Sequence, residues 1–444
     1  MKIVILILCV YFIPFYANSQ SYDEYNLSGL NKNEQQDYKG AIADFTKAIN
    51  LKPEAEDAYL NRGMAKYELQ QFASALSDYN QVIKINPANE VAYINRGAIK
   101  IVLKDFTGAL SDYEEVILLN PKNEDAYVNR GIIKDELKDY ESAMYNFNKV
   151  IALNPTNEAA YINRGIVKDE LKDYKGEIAD YTKVIEINPH HINAYLNRGV
   201  AKTKLLNFEG AIIDYNIVIE MSPTNAEAYF NRGIAYSQTK EFVKAINDFN
   251  KATEINPDFA EAYYNKAQAK GVLHDYNGAV TAYNKAIELN ASYGRAYYER
   301  GLIKDAELQD YKGAIQDFDK VIELNINDDA AFCRRGSAKN KIQDYNGALL
   351  DFNKAIELNP ASEDAYCFRG VAKSKMDNKK GAMEDFNKSL ELNPNSANAY
   401  FNRGLTKVLA DEPDCGCTDL KKAVELGCTE ATEAIDRYCK IHKN

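Results

Sequence analysis

Residues 56–89 read EDAYLNRGMAKYELQQFASALSDYNQVIKINPAN. In the first half Tyr59, Gly63 and Leu69 fall on one helical stripe; in the second, Ala75, Tyr79, Val82 and Ile83 fall on another. Gln70-Gln71 makes a short turn between them. Pro87 closes the segment, because its ring forbids further helix. The stretch is therefore a helix–turn–helix hairpin.

The same hairpin recurs along the chain. Arg-Gly pairs begin at Arg62, Arg96, Arg130, Arg164, Arg198, Arg232, Arg300, Arg335, Arg369 and Arg403, nearly always 34 residues apart. Lys266-Ala267 fills the one gap, and the single step of 35 falls between Arg300 and Arg335. Nine of the 11 prolines stand at the boundaries (Pro53, Pro87, Pro121, Pro155, Pro189, Pro223, Pro257, Pro360 and Pro394). Twelve units fit: 22–55, 56–89, 90–123, 124–157, 158–191, 192–225, 226–259, 260–293, 294–328, 329–362, 363–396 and 397–430. A period of this size means stacked supersecondary units. Such a stack grows linearly, so 444 residues need not divide into several globular domains.

Composition agrees with the copying of one Tyr-containing unit: 32 Tyr, 17 Phe and no Trp. The net charge of −11, with no Lys/Arg run, excludes the basic face of a nucleic-acid binder. Residues 1–19 differ in kind. Lys2 precedes an apolar stretch from Ile3 to Tyr16, followed by Ala17-Asn18-Ser19. That is the layout of a cleaved signal peptide, and the stretch is short of the roughly 18 residues a span needs. Leu8 before Cys9 argues against a lipid-anchor site. The expectation is an exported, periplasmic or secreted protein, not inserted in a membrane once cleaved. Its units would fill 20–428, with 429–444 a terminal helix and tail.

Eleven of the twelve units carry the glycine of Gly63 inside the first helix, where it costs about 1 kcal/mol relative to Ala. Close helix approach would offset that repeated cost, and Ala75, Ala109, Ala143, Ala211 and Ala245 are small partners for it. An aromatic in the first turn, this Gly, an Ala then an aromatic in the second helix, and a closing Pro together resemble the tetratricopeptide repeat. The resemblance covers Tyr22 to about Glu430 and implies an all-α, right-handed superhelical solenoid of exported, bacterial type. First helices would line a concave groove, and a C-terminal helix would cap the last unit.

Where the family usually has Leu, this chain has the Arg of Asn-Arg-Gly, with Lys four residues on in eleven units. Ten units carry an Asp in the second helix: Asp44, Asp78, Asp112, Asp180, Asp214, Asp248, Asp317, Asp351, Asp385 and Asp419. The eighth unit loses both, having Lys266 and Ala282. These residues predict an internal ladder of charge-assisted hydrogen bonds. The preceding Asn recurs as Asn61, Asn95, Asn129, Asn163, Asn197, Asn231, Asn265 and Asn402, rotated toward the expected groove. In some members of the family an Asn here bonds the backbone of an extended peptide, for which an amide's donor and acceptor suit. The alternative is that these Asn only bridge neighbouring first helices. Ile94, Ile162 and Phe230 would supply an apolar floor, and Asp135-Glu136 with Asp169-Glu170 an acidic patch favouring a segment with Lys or Arg; a solvated acidic helix end is the other reading. The Lys and Asn that a carboxylate clamp requires are missing from their places.

Some units break the pattern. Glu177 takes the place of the packed Ala, where pairing with Lys168 is expected, and Ala306 reads as an inserted residue that suggests a bulge or a change of superhelical pitch, with a bend expected near residues 282–328. Cys417 and Cys439 are expected to form a disulfide that fits export. Cys333 and Cys367 are expected to be free thiols, being too far apart on successive helices. Cys415-Gly416-Cys417 leaves room for a redox pair or part of a zinc site. His190, His191, His274 and His442 form no metal-ligand motif, and no phosphate loop or nucleophile elbow occurs. The reading is a non-enzymatic scaffold, without cofactor or metal, that binds a protein or peptide in its groove. A thiol-redox protein and a self-associating structural element are the alternatives.

Overall fold

The computed structural model describes residues 20–410 and 413–439; the expected signal peptide at 1–19 and His442 lie outside them. Within those residues the chain is 25 helices and no strand. They follow one another as antiparallel hairpins, for example Glu124–Glu136 with Tyr140–Leu153 and Glu158–Glu170 with Tyr174–Ile187. Two compact units divide the chain, one ending at Pro223 and one beginning at Thr224.

Local chemistry sets each helix end. Asn89, Asn123 and Asn157 accept the backbone N–H of Ala92, Ala126 and Ala160 at 2.9 Å and start first helices. Asp105 and Asp173 do the same for Gly108 and Gly176 at 3.0 Å and start second helices. Each such cap is worth about 1 kcal/mol. First helices end in a left-handed residue; eleven non-glycine residues, Lys104, Lys138 and Lys172 among them, have φ between 54° and 66°. In that turn the Asp105 N–H reaches back to the Lys100 carbonyl at 2.8 Å, which consumes an orphan carbonyl at the helix end. At the far boundary Asn120 turns the chain, accepting from Lys122 N–H at 3.1 Å while its amide holds Glu90 of the same unit at 3.0 Å.

The core lies between the two helices of a hairpin and the next first helix. Tyr127, Val128, Ala143, Phe147, Val150 and Ala160 pack together in one such layer. The helical glycine admits the ring of the second helix. A Cβ on Gly131 would sit 2.6 Å from Phe147 Cε1, and one on Gly63 would sit 2.8 Å from Tyr79 Cε1. The close partner is thus the aromatic, with Ala75 and Ala143 fully buried beside it. Burying each such ring is worth about 2–3 kcal/mol, more than the glycine costs.

The inserted residue near Ala306 leaves the helices unaltered. Gly294–Ala306 keeps thirteen residues, and the extra one lengthens the turn before Tyr311–Leu324. At the C-terminal end Glu430–Tyr438 lays Ala431 and Ala434 against Leu420 and Ala423 of Pro413–Glu425. At the N-terminal end the Tyr22 hydroxyl donates to Asp57 at 2.7 Å and ties the first hairpin to the second.

Candidate interaction surface

The polar residues of Asn-Arg-Gly part company in space. Arg62 donates through Nε and Nη2 to the Asp78 carboxylate at 3.0 and 2.7 Å, and Lys66 Nζ reaches the same group at 2.7 Å. Asp78 is 3% exposed. The third guanidinium nitrogen crosses to the preceding hairpin: Arg62 to Thr46 at 3.1 Å, Arg96 to Asn80 at 2.7 Å, Arg164 to Asn148 at 2.6 Å, Arg369 to Asn353 at 2.8 Å. The Arg62 guanidinium also lies 5.3 Å from the Tyr59 ring centroid. A planar fork with five donors is what such a three-way junction requires, and Lys could not replace it. The arginines are scaffold. In the fourth hairpin Asn146 replaces Asp, so Arg130 keeps one bond of 2.7 Å and Lys134 turns to Asp139 at 3.0 Å. In the eighth, burial and then Lys270 push the Lys266 ammonium below its ordinary value.

The row of asparagines divides into a closed stretch and an accessible one. Asn95, Asn129 and Asn163 are 1%, 0% and 8% exposed, and Ile94 and Ile162 beside them are buried too. Packing accompanies this burial: Val128 and Ile132 of that face lie in one core cluster with Ala160 and Val167 of the next first helix. Neither polar side-chain atom of Asn129 has a hydrogen-bond partner among the described residues. Asn163 and Asn265 turn their amides to their own helix, onto Ala159 and Glu261 carbonyls at 2.8 Å. Asn61, Asn197, Asn231 and Asn265 remain half-exposed, as does Phe230.

In the acidic patch Glu136 and Glu170 are exposed, and Asp135 and Asp169 half-buried. Asp169 is ion-paired with Lys204 of the next hairpin, whose ammonium lies 5.4 Å from the Tyr174 ring. Glu177 does not pair with Lys168, which holds Asp180 at 2.7 Å and the Gly176 carbonyl at 3.2 Å. Glu177 is 3% exposed; burial, then the charge of Asp169, pushes its carboxyl up to about 8.

The structure sets Cys417 and Cys439 in bonding geometry, Cα atoms 5.8 Å apart. Cys415 is exposed, while Cys333, Cys367 and Cys428 are buried free thiols. Burial pushes the Cys333 and Cys367 thiols up to about 12, far from a reactive thiolate. Among the described residues no group of three His, Cys, Asp or Glu could hold a metal, and no helix is long and apolar enough to cross a membrane. His191 caps a helix, accepting from Ala194 N–H at 3.1 Å.

In hairpins seven to nine the first-helix face turns aromatic. Phe230 packs on Phe259 at 4.6 Å, Tyr264 stacks on Tyr293 at 5.0 Å, and Tyr298 meets Phe318 edge-on at 5.8 Å. At the Asn place of hairpins nine to eleven stand Glu299, Arg334 and Phe368, none of which the repeated Asn predicts. The signal was available as a break in the repeat.

Tetratricopeptide repeat models match residues 56–89, 124–157, 158–191, 226–259, 264–329, 330–362 and 363–396, and a TPR repeat model matches 29–70. No curated protein matches the chain. Among solved structures, the C-terminal part of a TPR repeat-containing protein from Cytophaga hutchinsonii is similar over 53% of this chain and 96% of its own, with 20% identity and a TM-score of 0.47. A tetratricopeptide repeat protein from Parabacteroides merdae is similar over 56% and 99%, with 21% identity and a TM-score of 0.43. The Cut9–Hcn1 hetero-tetramer of the APC/C gives 95% and 97%, with 16% identity and a TM-score of 0.45.

Proposed function

The chain belongs to the tetratricopeptide repeat family, and from that premise we propose that it is an exported, non-enzymatic scaffold that binds an extended segment of a partner protein. The segment lies along the first helices between Phe230 and Phe368. One observation carries this placement: the first-helix face of hairpins three to five is spent on packing, whereas Phe230, Asn231, Tyr264, Asn265 and Tyr298 stay half-exposed. Rings with two torsions lose little entropy on binding and offer broad apolar contact beside polar tips. The signal-like layout of residues 1–19 and the pairing of Cys417 with Cys439 support export.

The test is capture from the native exported fraction, with the chain lacking residues 1–19 as bait. A second bait carries Phe230→Ala, Asn231→Ala and Asn265→Ala; a third carries Leu350→Ala, an exposed second-helix residue. A partner kept by the third bait and lost by the second, with helicity unchanged, supports the reading. Equal retention by all three places binding elsewhere.

A further inference from the structure

Glu299 stands where other hairpins place Asn, on the first helix Gly294–Ala306. It is half-buried, and burial alone holds its carboxyl above the ordinary range. Among the described residues no cation lies within ion-pair distance of it and no donor bonds it. Three tyrosines feel its charge: Tyr264, Tyr283 and Tyr298. Tyr283 is a buried floor on which Tyr264 rests edge-on at 5.7 Å. Tyr264 is braced by Tyr293 and by Gln268, whose amide reaches its hydroxyl at 3.1 Å.

The nearby cations are engaged or turned elsewhere. Arg334 is drawn to the Tyr298 hydroxyl and toward Asp364 at 3.8 Å. Arg295, one turn before Glu299, is exposed and acts on Tyr264 and Tyr293. In every intact rung of the ladder a half-buried Arg or Lys meets the inward carboxylate, as Arg335 and Lys339 meet Asp351 at 2.6 and 2.8 Å. Glu299 is a carboxylate that the fold has taken partly out of water without supplying the counter-charge. Leaving such a group alone is costly, and a cation brought by a ligand removes that cost. The aromatic side chains of the same face, Tyr264 and Tyr298, suit the methylene stem of a long basic side chain.

We propose that Glu299, half-buried on the first-helix face beside Tyr298 and without a counter-charge, takes a lysine or arginine side chain of the partner segment. The inference rests on the binding face proposed above and assigns it one side-chain class at one place. An extended peptide of alternating Ala and Lys, fluorescently labelled, is titrated into the full chain, with an Ala/Gln peptide as the uncharged probe. Glu299→Gln is compared with Glu254→Gln, which removes the same charge from an exposed second-helix position. Glu299→Asp keeps the charge on a shorter stem.

The expected result is Kd weakened about tenfold by Glu299→Gln, little changed by Glu254→Gln, and partly recovered in Glu299→Asp. Tetramethylammonium, a cation without donors, competes on the parent and not on Glu299→Gln. Equal weakening by both Gln variants, or none by Glu299→Gln, overturns the proposal, since attraction would then follow net charge. If Phe230→Ala still abolishes peptide binding in that case, the binding face survives and only the assignment to Glu299 falls. Indifference to both residues removes the face as well.

Discussion

Hairpins three to five and hairpins eight to ten share one backbone plan and use its first helices in opposite ways. In the former, Asn95, Asn129 and Asn163 are sealed between helices, and Ile94 and Val128 are buried with them. In the latter, Tyr264, Tyr298, Glu299 and Arg334 stand half-exposed. The difference shows which residues specify the hairpin. The glycine, the ring that fills its space and the Arg–Asp clasp lie where the two helices meet. They recur, with Asn146 for Asp in the fourth hairpin and Lys266, Ala267 and Ala282 in the eighth among the exceptions, while the outward face changes chemistry.

The clasp is the sharpest place to break this comparison. Arg164→Ala leaves Asp180 buried with only Lys168 as partner. The expected loss is about 3–5 kcal/mol in the fifth hairpin, read as faster amide hydrogen exchange across its helices. Lys266→Ala in the eighth hairpin, where Ala282 offers no carboxylate, should cost about 1 kcal/mol or less. Equal losses would mean that the clasp adds nothing beyond side-chain packing.

The glycine gives a second contrast. Gly131→Ala drives a methyl to 2.6 Å from the Phe147 ring and should cost about 1–3 kcal/mol, measured by urea unfolding. The eighth hairpin already carries Ala267, fully buried against Tyr283. There Ala267→Gly should cost about 1 kcal/mol, the ordinary helix penalty. A neutral Gly131→Ala would show that the ring can slide and that the repeated glycine answers to something else.

How much of this was legible beforehand follows from the same division. Hairpins, their boundaries and the ladder are written as short-range spacings repeated many times, so period and helical geometry sufficed to find them. The burial of Asn129 is not written in the motif itself, because it depends on neighbours outside it, Val128 and Ile132, which pack in the core with Ala160 and Val167 of the next first helix. Glu299 carries no periodic signal, because it stands where the repeat departs from itself. The turn conformation was also hidden, since its left-handed residues are Lys, Gln, Leu, His and Asp in place of glycine.

Glu177 extends the comparison to pH. It fills a slot that Ala143 and Ala211 fill in the adjacent hairpins. Burial raises its carboxyl pKa most and Asp169 next; Lys204 opposes them, and Asp173 adds the smallest rise. With the folded value near 8 and the ordinary one at 4.5, the folded chain keeps a proton that the unfolded chain has released between those limits. Stability therefore falls as pH rises through that window and levels off above it. Glu177→Gln should remove the slope and stabilise the chain above pH 8 by about 2 kcal/mol. A parallel decline in parent and variant would show that other groups carry it.

The smallest effect expected is at the turns. Lys138 holds φ at 60°, a region in which a side chain crowds its own backbone at a cost of about 1–2 kcal/mol. Glycine escapes that crowding but loses more freedom on folding, so Lys138→Gly should gain only about 0.5–1 kcal/mol. The Asp139 N–H bond to the Lys134 carbonyl at 2.8 Å, which depends on this conformation, is retained in the variant. The gain should be the same at Lys104 and Lys172, since their turns repeat the geometry, and should appear as a higher urea midpoint with an unchanged slope. A lower midpoint at all three would mean that the lysine stems cover apolar surface at the turn, and that these residues recur for their packing.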